Sequence, residues 1–375
     1  MKQPRIISVI SFPFLPATTG GEICTAGLLH ALSQHTAVSA FTVEPYKQGF
    51  EHQTGNTQLF YVMPFKTWRY ANILLFFKLK SMAKQQQADW ILFEQPWLGW
   101  LATLCKWFLP YKIAIRSHNI EYLRFKSMGK WFWQLLYMYE KWTYKQADLM
   151  LFLTQADLDK AVNEFDINPK KTLLAPYGVP FDTIPQRASA TQIVELKEKL
   201  GIAAHEKMIL FFSTLSYAPN YTAITDFVEH IYPLLKEKNF PFKLIVCGKN
   251  LPVSIQQQIE HINEIKYCGF VEDIALYIDA ADVMMNPILT GGGIKTKAID
   301  TLARNQKVVS TESGAIGIDA KVCGNNLWIA ADEDWKKFAE ALIKACDSPA
   351  QLPAEFYNTY SWQKISKHIL KAMNP

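Results

Sequence analysis

One segment concentrates more chemistry than any other: Asn286-Pro287-Ile288-Leu289-Thr290-Gly291-Gly292-Gly293-Ile294-Lys295-Thr296-Lys297-Ala298-Ile299-Asp300. Glycines between a strand and a helix let backbone N–H groups approach an anion closely, and the helix start adds partial positive charge. Lys295 and Lys297 bring two full charges beside it, and Asp300 follows two turns into the helix, within reach of ribose hydroxyls. A bare glycine triplet would read as a flexible turn. With two lysines and a carboxylate behind it, the segment reads as a seat for a nucleoside diphosphate. Phosphates would lie at Gly291, Gly292, Gly293 and Ile294, and ribose at Asp300.

Three other constellations stand at strand ends, where ligands gather in open α/β sheets. Gly20-Gly21 opens the helix after the first strand, a place where backbone and ligand can approach closely. Arg116-Ser117-His118-Asn119-Ile120-Glu121 puts His118 just beyond a strand, as a candidate catalytic residue. Ser213 and Thr214 end another strand and offer hydroxyls to phosphate or sugar. No G-x-G-x-x-G follows the first strand and no Gly-Lys-Ser/Thr loop is present, which weakens dehydrogenase and kinase readings. The six cysteines are scattered without a C-x-x-C pair, which argues against a zinc site or a disulfide framework and fits a reducing, cytoplasmic setting.

The elements that must position these residues alternate between short apolar runs and longer amphipathic ones. Strands are predicted at Ile6–Phe12, Trp90–Glu94, Ile113–Ser117 and Leu149–Leu153, with helices over Gly21–Leu32, Ile73–Lys84, Leu98–Phe108 and Trp131–Gln146. Such βα alternation implies a parallel sheet covered on both faces. Periodicity fades from Phe181 to about Thr191, then restarts with strands at Met208–Phe212, Lys243–Cys247, Ile265–Tyr267, Val283–Asn286 and Lys307–Ser310, and a helix over Ala223–Lys236. The fold class is therefore α/β with two Rossmann-like, doubly wound domains, spanning 1–182 and 190–357. A last helix at 360–375 is expected to pack back onto the first domain.

Charge is unevenly spread. Residues 1–180 hold 19 Lys/Arg against 12 Asp/Glu, while 181–375 hold 20 against 22, so the first half should meet the more acidic partner or surface. Residues 61–84 and 122–145 interleave ten basic residues and many aromatics with one acid, a pattern suited to peripheral contact with an anionic membrane. No nucleic-acid motif accompanies them. The apolar run at the N-terminus is broken by Pro13 and Pro16 and reads as a strand, not a signal peptide. No stretch reaches the ~20 apolar residues of a spanning helix.

Taken in order, these segments resemble the glycosyltransferase family 4 branch of the GT-B superfamily. The resemblance runs through Gly20-Gly21, Ser117–Glu121, Pro176-Tyr177-Gly178-Val179, Phe212–Leu215 with Pro219-Asn220, Cys247–Asn250, Gly269–Asp273 and Pro287–Asp300. It implies two domains facing across a cleft and a retaining, metal-independent transfer without a cofactor. The donor would be a UDP- or GDP-linked sugar and the acceptor a glycan or lipid-linked molecule. It implies that the base contacts the backbone at Phe270 and Val271, and that Lys249 or Lys297 assists the diphosphate on the glycine turn. It implies further that Asp300 holds the ribose, that the Gly20-Gly21 loop faces the phosphates, and that His118 lies near the donor sugar. The chain departs from the pattern where Gly292 stands for the first of two glutamates, Asp300 for the second, and Ser213 for a glycine. A silent nucleotide-sugar-binding protein and a nucleotide-sugar epimerase share this fold; turnover with a donor panel separates the first, and a pair of cleft carboxylates would mark the second.

Overall fold

The computed structural model describes residues 3–291 and 293–374, in two compact units. The first comprises Met1–Pro180 with Thr359–Pro375, the second Phe181–Asn358.

The first unit holds seven strands: β1 (Ile6–Ile10), β2 (Val38–Val43), β3 (Gln58–Met63), β4 (Trp90–Glu94), β5 (Lys112–Ser117), β6 (Leu149–Phe152) and β7 (Thr172–Leu174). They pair in parallel in the order β3-β2-β1-β4-β5-β6-β7. β1, β2, β4 and β6 are buried at every position, as expected where helices cover both faces. Those helices are α1 (Gly20–Ser33), α2 (Leu74–Gln85), α3 (Gly99–Phe108), α4 (Glu121–Ser127), α5 (Trp133–Lys145) and α6 (Gln155–Phe165). The direction of strand order reverses between β1 and β4, which are hydrogen-bonded neighbours.

The C-terminal helix, Trp362–Met373, belongs to this unit through one large anchor. The Trp362 indole is 5% exposed and lies over two glycines. A Cβ on Gly27 or on Gly178 would come within 2.4 Å of it, so only glycine fits at either position. Trp90 Nε1 donates to Met373 O at 3.1 Å and fixes the far end.

The second unit holds β8 (Lys207–Phe212), β9 (Phe242–Cys247), β10 (Ile265–Gly269), β11 (Val283–Asn286), β12 (Val308–Thr311) and β13 (Leu327–Ala330). They are parallel, in the order β10-β9-β8-β11-β12-β13, so the reversal falls between β8 and β11. α7 (Ala190–Leu200) opens on a capping box in which Ser189 and Gln192 satisfy each other's backbone. α8 (Ala218–Asp226) corrects the expected start at Ala223: Pro219 lacks an N–H and suits the first turn. The expected continuous helix is also interrupted by a π-turn at Phe227–Ile231 before Tyr232–Glu237, because Pro233 has no N–H for the preceding turn. All six cysteines are free thiols. Among the described residues no helix is long and apolar enough to cross a membrane.

Candidate functional site

In the second unit, the chain leaves β8 at Ser213 and β11 at Pro287, on the carboxyl side of the strand-order reversal, where doubly wound sheets take their ligands. Backbone hydrogen bonds join the strand exits into one platform: Ser213 N to Cys247 O at 3.0 Å, Leu215 N to Lys249 O at 3.0 Å, and Gly248 N to Gly269 O at 2.7 Å. Thr214, Lys249 and Phe270 therefore stand on three adjoining loops. The Lys249 ammonium lies 3.9 Å from the centre of the Phe270 ring, and Phe270 is 61% exposed, open to stack on a planar group. Val271 turns inward and packs on the core beneath. Gly291 leans on the same platform, since a Cβ there would come within 3.1 Å of the Tyr217 hydroxyl and 3.3 Å of Pro219.

The helix after the glycines begins later than expected, at Thr296, and ends at Ala303. Gly291, Gly293 and Ile294 precede it, and Gly292 lies outside the described residues. Lys295 stands at the position before the helix without capping it and folds back, its ammonium donating to Gly291 O at 2.8 Å and Gly293 O at 3.1 Å. Lys297 is buried beneath the loop. Its ammonium donates to Asn220 Oδ1 at 3.2 Å and sits 4.4 Å from the centre of the Phe211 ring. Asn220 Nδ2 donates to Thr214 O at 2.9 Å, which fixes the amide with its oxygen toward the lysine. Asp300 is half-buried on the same helix, one turn beyond Thr296.

These lysines are not two full charges in the ligand-free protein. Burial lowers the Lys295 ammonium to about 8, and burial together with the neighbouring Lys295 charge lowers Lys297 to about 7. Among the described residues Lys297 has neutral partners only. A diphosphate bound here would give Lys297 the counter-charge it lacks and favour its protonated form. Binding of a nucleotide sugar, whose phosphates do not themselves titrate near neutrality, should take up about one proton at pH 8 and weaken as pH rises from 7 to 9. Calorimetry in buffers of different ionisation enthalpy reads this uptake directly; identical heats in every buffer would contradict it.

The first unit collects a second group around its own reversal point. α1 begins at Gly20-Gly21, with Glu22 Oε2 accepting from Thr18 N at 2.9 Å and Thr19 N at 2.8 Å. His118, 6% exposed, lies just beyond β5, and a Cβ on Gly21 would stand 4.0 Å from its Nδ1. His118 Nε2 is 2.8 Å from Glu94 Oε2, and Nδ1 is 3.3 Å from Gln95 Nε2. Arg116 Nη1 lies 3.5 Å from the same Glu94 oxygen and 3.2 Å from Cys24 O, which ties β4, β5 and α1 together. Burial pushes the Glu94 carboxyl up, but the Arg116 charge and the His118 hydrogen bond outweigh it and hold the group below its ordinary value. Glu94 and Gln95 were not legible as site residues, although a strand ending in Glu94-Gln95 at a sheet's carboxyl edge carries the signal.

The chain matches family models over most of its length: "Glycosyltransferase Family 4" at residues 18–183 and "Glycosyl transferases group 1" at residues 206–348. A glycosyltransferase from Rickettsia africae superposes with a TM-score of 0.75 at 13% identity, covering 100% of this chain and 98% of that one. Anabaena Alr3699/HepE in complex with UDP and glucose gives 0.71 at 17% identity, covering 98% of each chain. Both likenesses are of fold. An uncharacterized 44.6 kDa protein in the cps region of Klebsiella pneumoniae is 22% identical over 269 residues, which is 66% of this chain and 63% of that relative's length.

Proposed function

We propose that this chain, which belongs to the group 1, family 4-like glycosyltransferases of the GT-B fold, moves a sugar from a nucleoside diphosphate to a glycan or lipid-linked acceptor, with retention and without a metal ion. The observation that carries the donor assignment is Lys297: a buried ammonium at the sheet's reversal point, held by an amide and an aromatic ring, whose burial is offset only when an anion arrives. The diphosphate lies over Gly291–Ile294 and Lys297, the ribose at Asp300, and the base beside Phe270-Val271, with Ser213, Thr214 and Lys249 along its edge. Uridine is a leading base because the structurally similar HepE holds UDP.

Transfer would follow front-face substitution, the acceptor hydroxyl attacking the anomeric carbon from the side the diphosphate leaves. The protein's main contribution is stabilisation of the charge that develops on that diphosphate. Incubation with UDP-, GDP- and ADP-sugars and product analysis tests the assignment. Asp300→Ala should weaken binding of the accepted nucleotide about ten- to a hundredfold through loss of a charged hydrogen bond. A chain that turns over every donor equally slowly, with or without Asp300, would contradict the proposal.

The acceptor reading includes an anionic membrane surface. Phe65, Trp68, Phe77, Trp107, Phe108 and Trp131 of the first unit are each more than half exposed. Trp107 and Phe108 lie outside the stretches singled out from sequence. The basic count is smaller than the sequence suggests: Arg69 is buried on the carbonyls of Ser11, Phe65 and Lys66, and Lys141 and Lys145 share Asp166. Attachment should therefore rest on inserted aromatics as well as charge, so co-sedimentation with anionic liposomes should fall with added salt but not vanish. No co-sedimentation at low salt would leave these as ordinary solvent-facing helices.

A further inference from the structure

The hydrogen bonds around His118 have a fixed direction. The Trp97 indole N–H can only donate, and it is bonded to Gln95 Oε1. That bond makes Oε1 the carbonyl oxygen of the Gln95 amide and leaves Nε2 as the donor, which meets His118 Nδ1 at 3.3 Å. Nδ1 must then present its lone pair. The ring hydrogen sits on Nε2 and points at Glu94 Oε2, 2.8 Å away. Gln95 itself is held at φ +69, an uncommon conformation for a non-glycine residue, by its N–H bond to Arg116 O at 2.8 Å.

We propose that Glu94 and Gln95 are positioning residues that hold His118 as the neutral Nε2–H tautomer with its Nδ1 lone pair on the Gly21 side, so that His118 accepts a hydrogen bond from a substrate hydroxyl instead of donating a proton. Gln95 occupies that lone pair in the ligand-free protein, and a sugar hydroxyl takes its place. This rests on the glycosyltransferase reading only for the identity of the hydroxyl; the tautomer itself follows from the network. The arrangement gives each partner a distinct task. Arg116 keeps Glu94 ionised as an acceptor, and Glu94 fixes which nitrogen carries the hydrogen. The Trp97–Gln95 pair blocks the alternative, because a hydrogen on Nδ1 would face the amide's own hydrogens.

The test is a ¹⁵N long-range correlation spectrum of the full chain with labelled histidine and no ligand, the His118 signals being identified by their loss in His118→Gln. At neutral pH, Nδ1 should resonate as an unprotonated ring nitrogen and Nε2 as a protonated one. A second variant, Gln95→Glu, replaces the amide donor by a carboxylate acceptor at a half-buried position and leaves the Arg116–Glu94 pair intact. It should protonate both ring nitrogens at neutral pH and lower sugar-transfer turnover about tenfold, while UDP binding stays as in the parent. An Nδ1–H tautomer in the parent, or unchanged ring protonation in Gln95→Glu, would overturn the proposal. Loss of UDP binding in the parent would instead strike the donor assignment.

Discussion

Lys297→Met should lower the affinity for the donor nucleotide about ten- to a hundredfold and leave the fold as stable as before, or more stable. A charged hydrogen bond to a phosphate oxygen is worth about 1.5–3 kcal/mol, which sets the loss in affinity. Stability moves the other way. The unfolded lysine keeps its ordinary value of 10.5, whereas burial brings the folded one to about 7, so at neutral pH the unfolded chain binds more protons and the folded state is penalised by a few kcal/mol, on the order of the shift itself. That penalty diminishes as pH rises from 7 toward 10.5. Methionine keeps the apolar stem against Phe211 and removes the penalty, at the cost of leaving Asn220 Oδ1 without its partner, roughly 1 kcal/mol. Chemical denaturation and calorimetry on the same variant check both halves. A large loss of stability together with unchanged nucleotide affinity would show that Lys297 is part of the core and not of the site.

Gly248→Ala should be the most damaging single methyl group in the second unit. Gly248 sits at φ +149 where β9 leaves the sheet, and a Cβ there would stand 1.9 Å from the Ser213 carbonyl oxygen and 2.9 Å from Leu215 Cγ. Neither loop can retreat without breaking the Ser213–Cys247 and Leu215–Lys249 backbone bonds that hold the platform. Overpacking costs about 1–3 kcal/mol and the backbone conformation a further ~1–3 kcal/mol, so the melting temperature should fall by roughly 5–15 °C. Donor binding should fall with it, since Thr214 and Lys249 ride on the displaced loops. Gly201→Ala is the matched control: its φ is +70, but open space surrounds it, so only the backbone cost applies. Equal melting temperatures for the two variants would mean that the close approach at Gly248 is relieved at no cost.

Legibility followed burial and length. β1, β4, β5, β8 and β9 read as strands because each is a run of apolar residues buried on both faces. β3 and β13 were missed because they are half-exposed edge strands, and β7 because three residues carry no period; β2 is the exception, buried at every position but with Ser39 and Thr42 breaking its apolar run. Ser213, Thr214, His118 and the glycine segment were singled out from their place after strand ends. Tyr217 and the bridging role of Asn220 were not, because they depend on how one loop folds against another. The burial of Lys297 was equally hidden: a lysine two positions into a helix reads as a solvated charge, and only the packing of that helix against β11 and β12 turns its side chain onto Phe211 and Asn220. Arg69 shows the same limit from the other side, a basic residue counted as surface charge that the fold spends on three carbonyls.

We propose that the second unit binds a nucleoside diphosphate sugar over Gly291–Asp300. Its most direct test is a calorimetric titration of the full chain and of Lys297→Met with UDP-glucose, GDP-mannose and ADP-glucose under one set of conditions. One of the three should bind the parent chain at a single site, and its affinity should fall at least tenfold in the variant. Absence of binding by all three, or equal affinity for the parent and Lys297→Met, would contradict it.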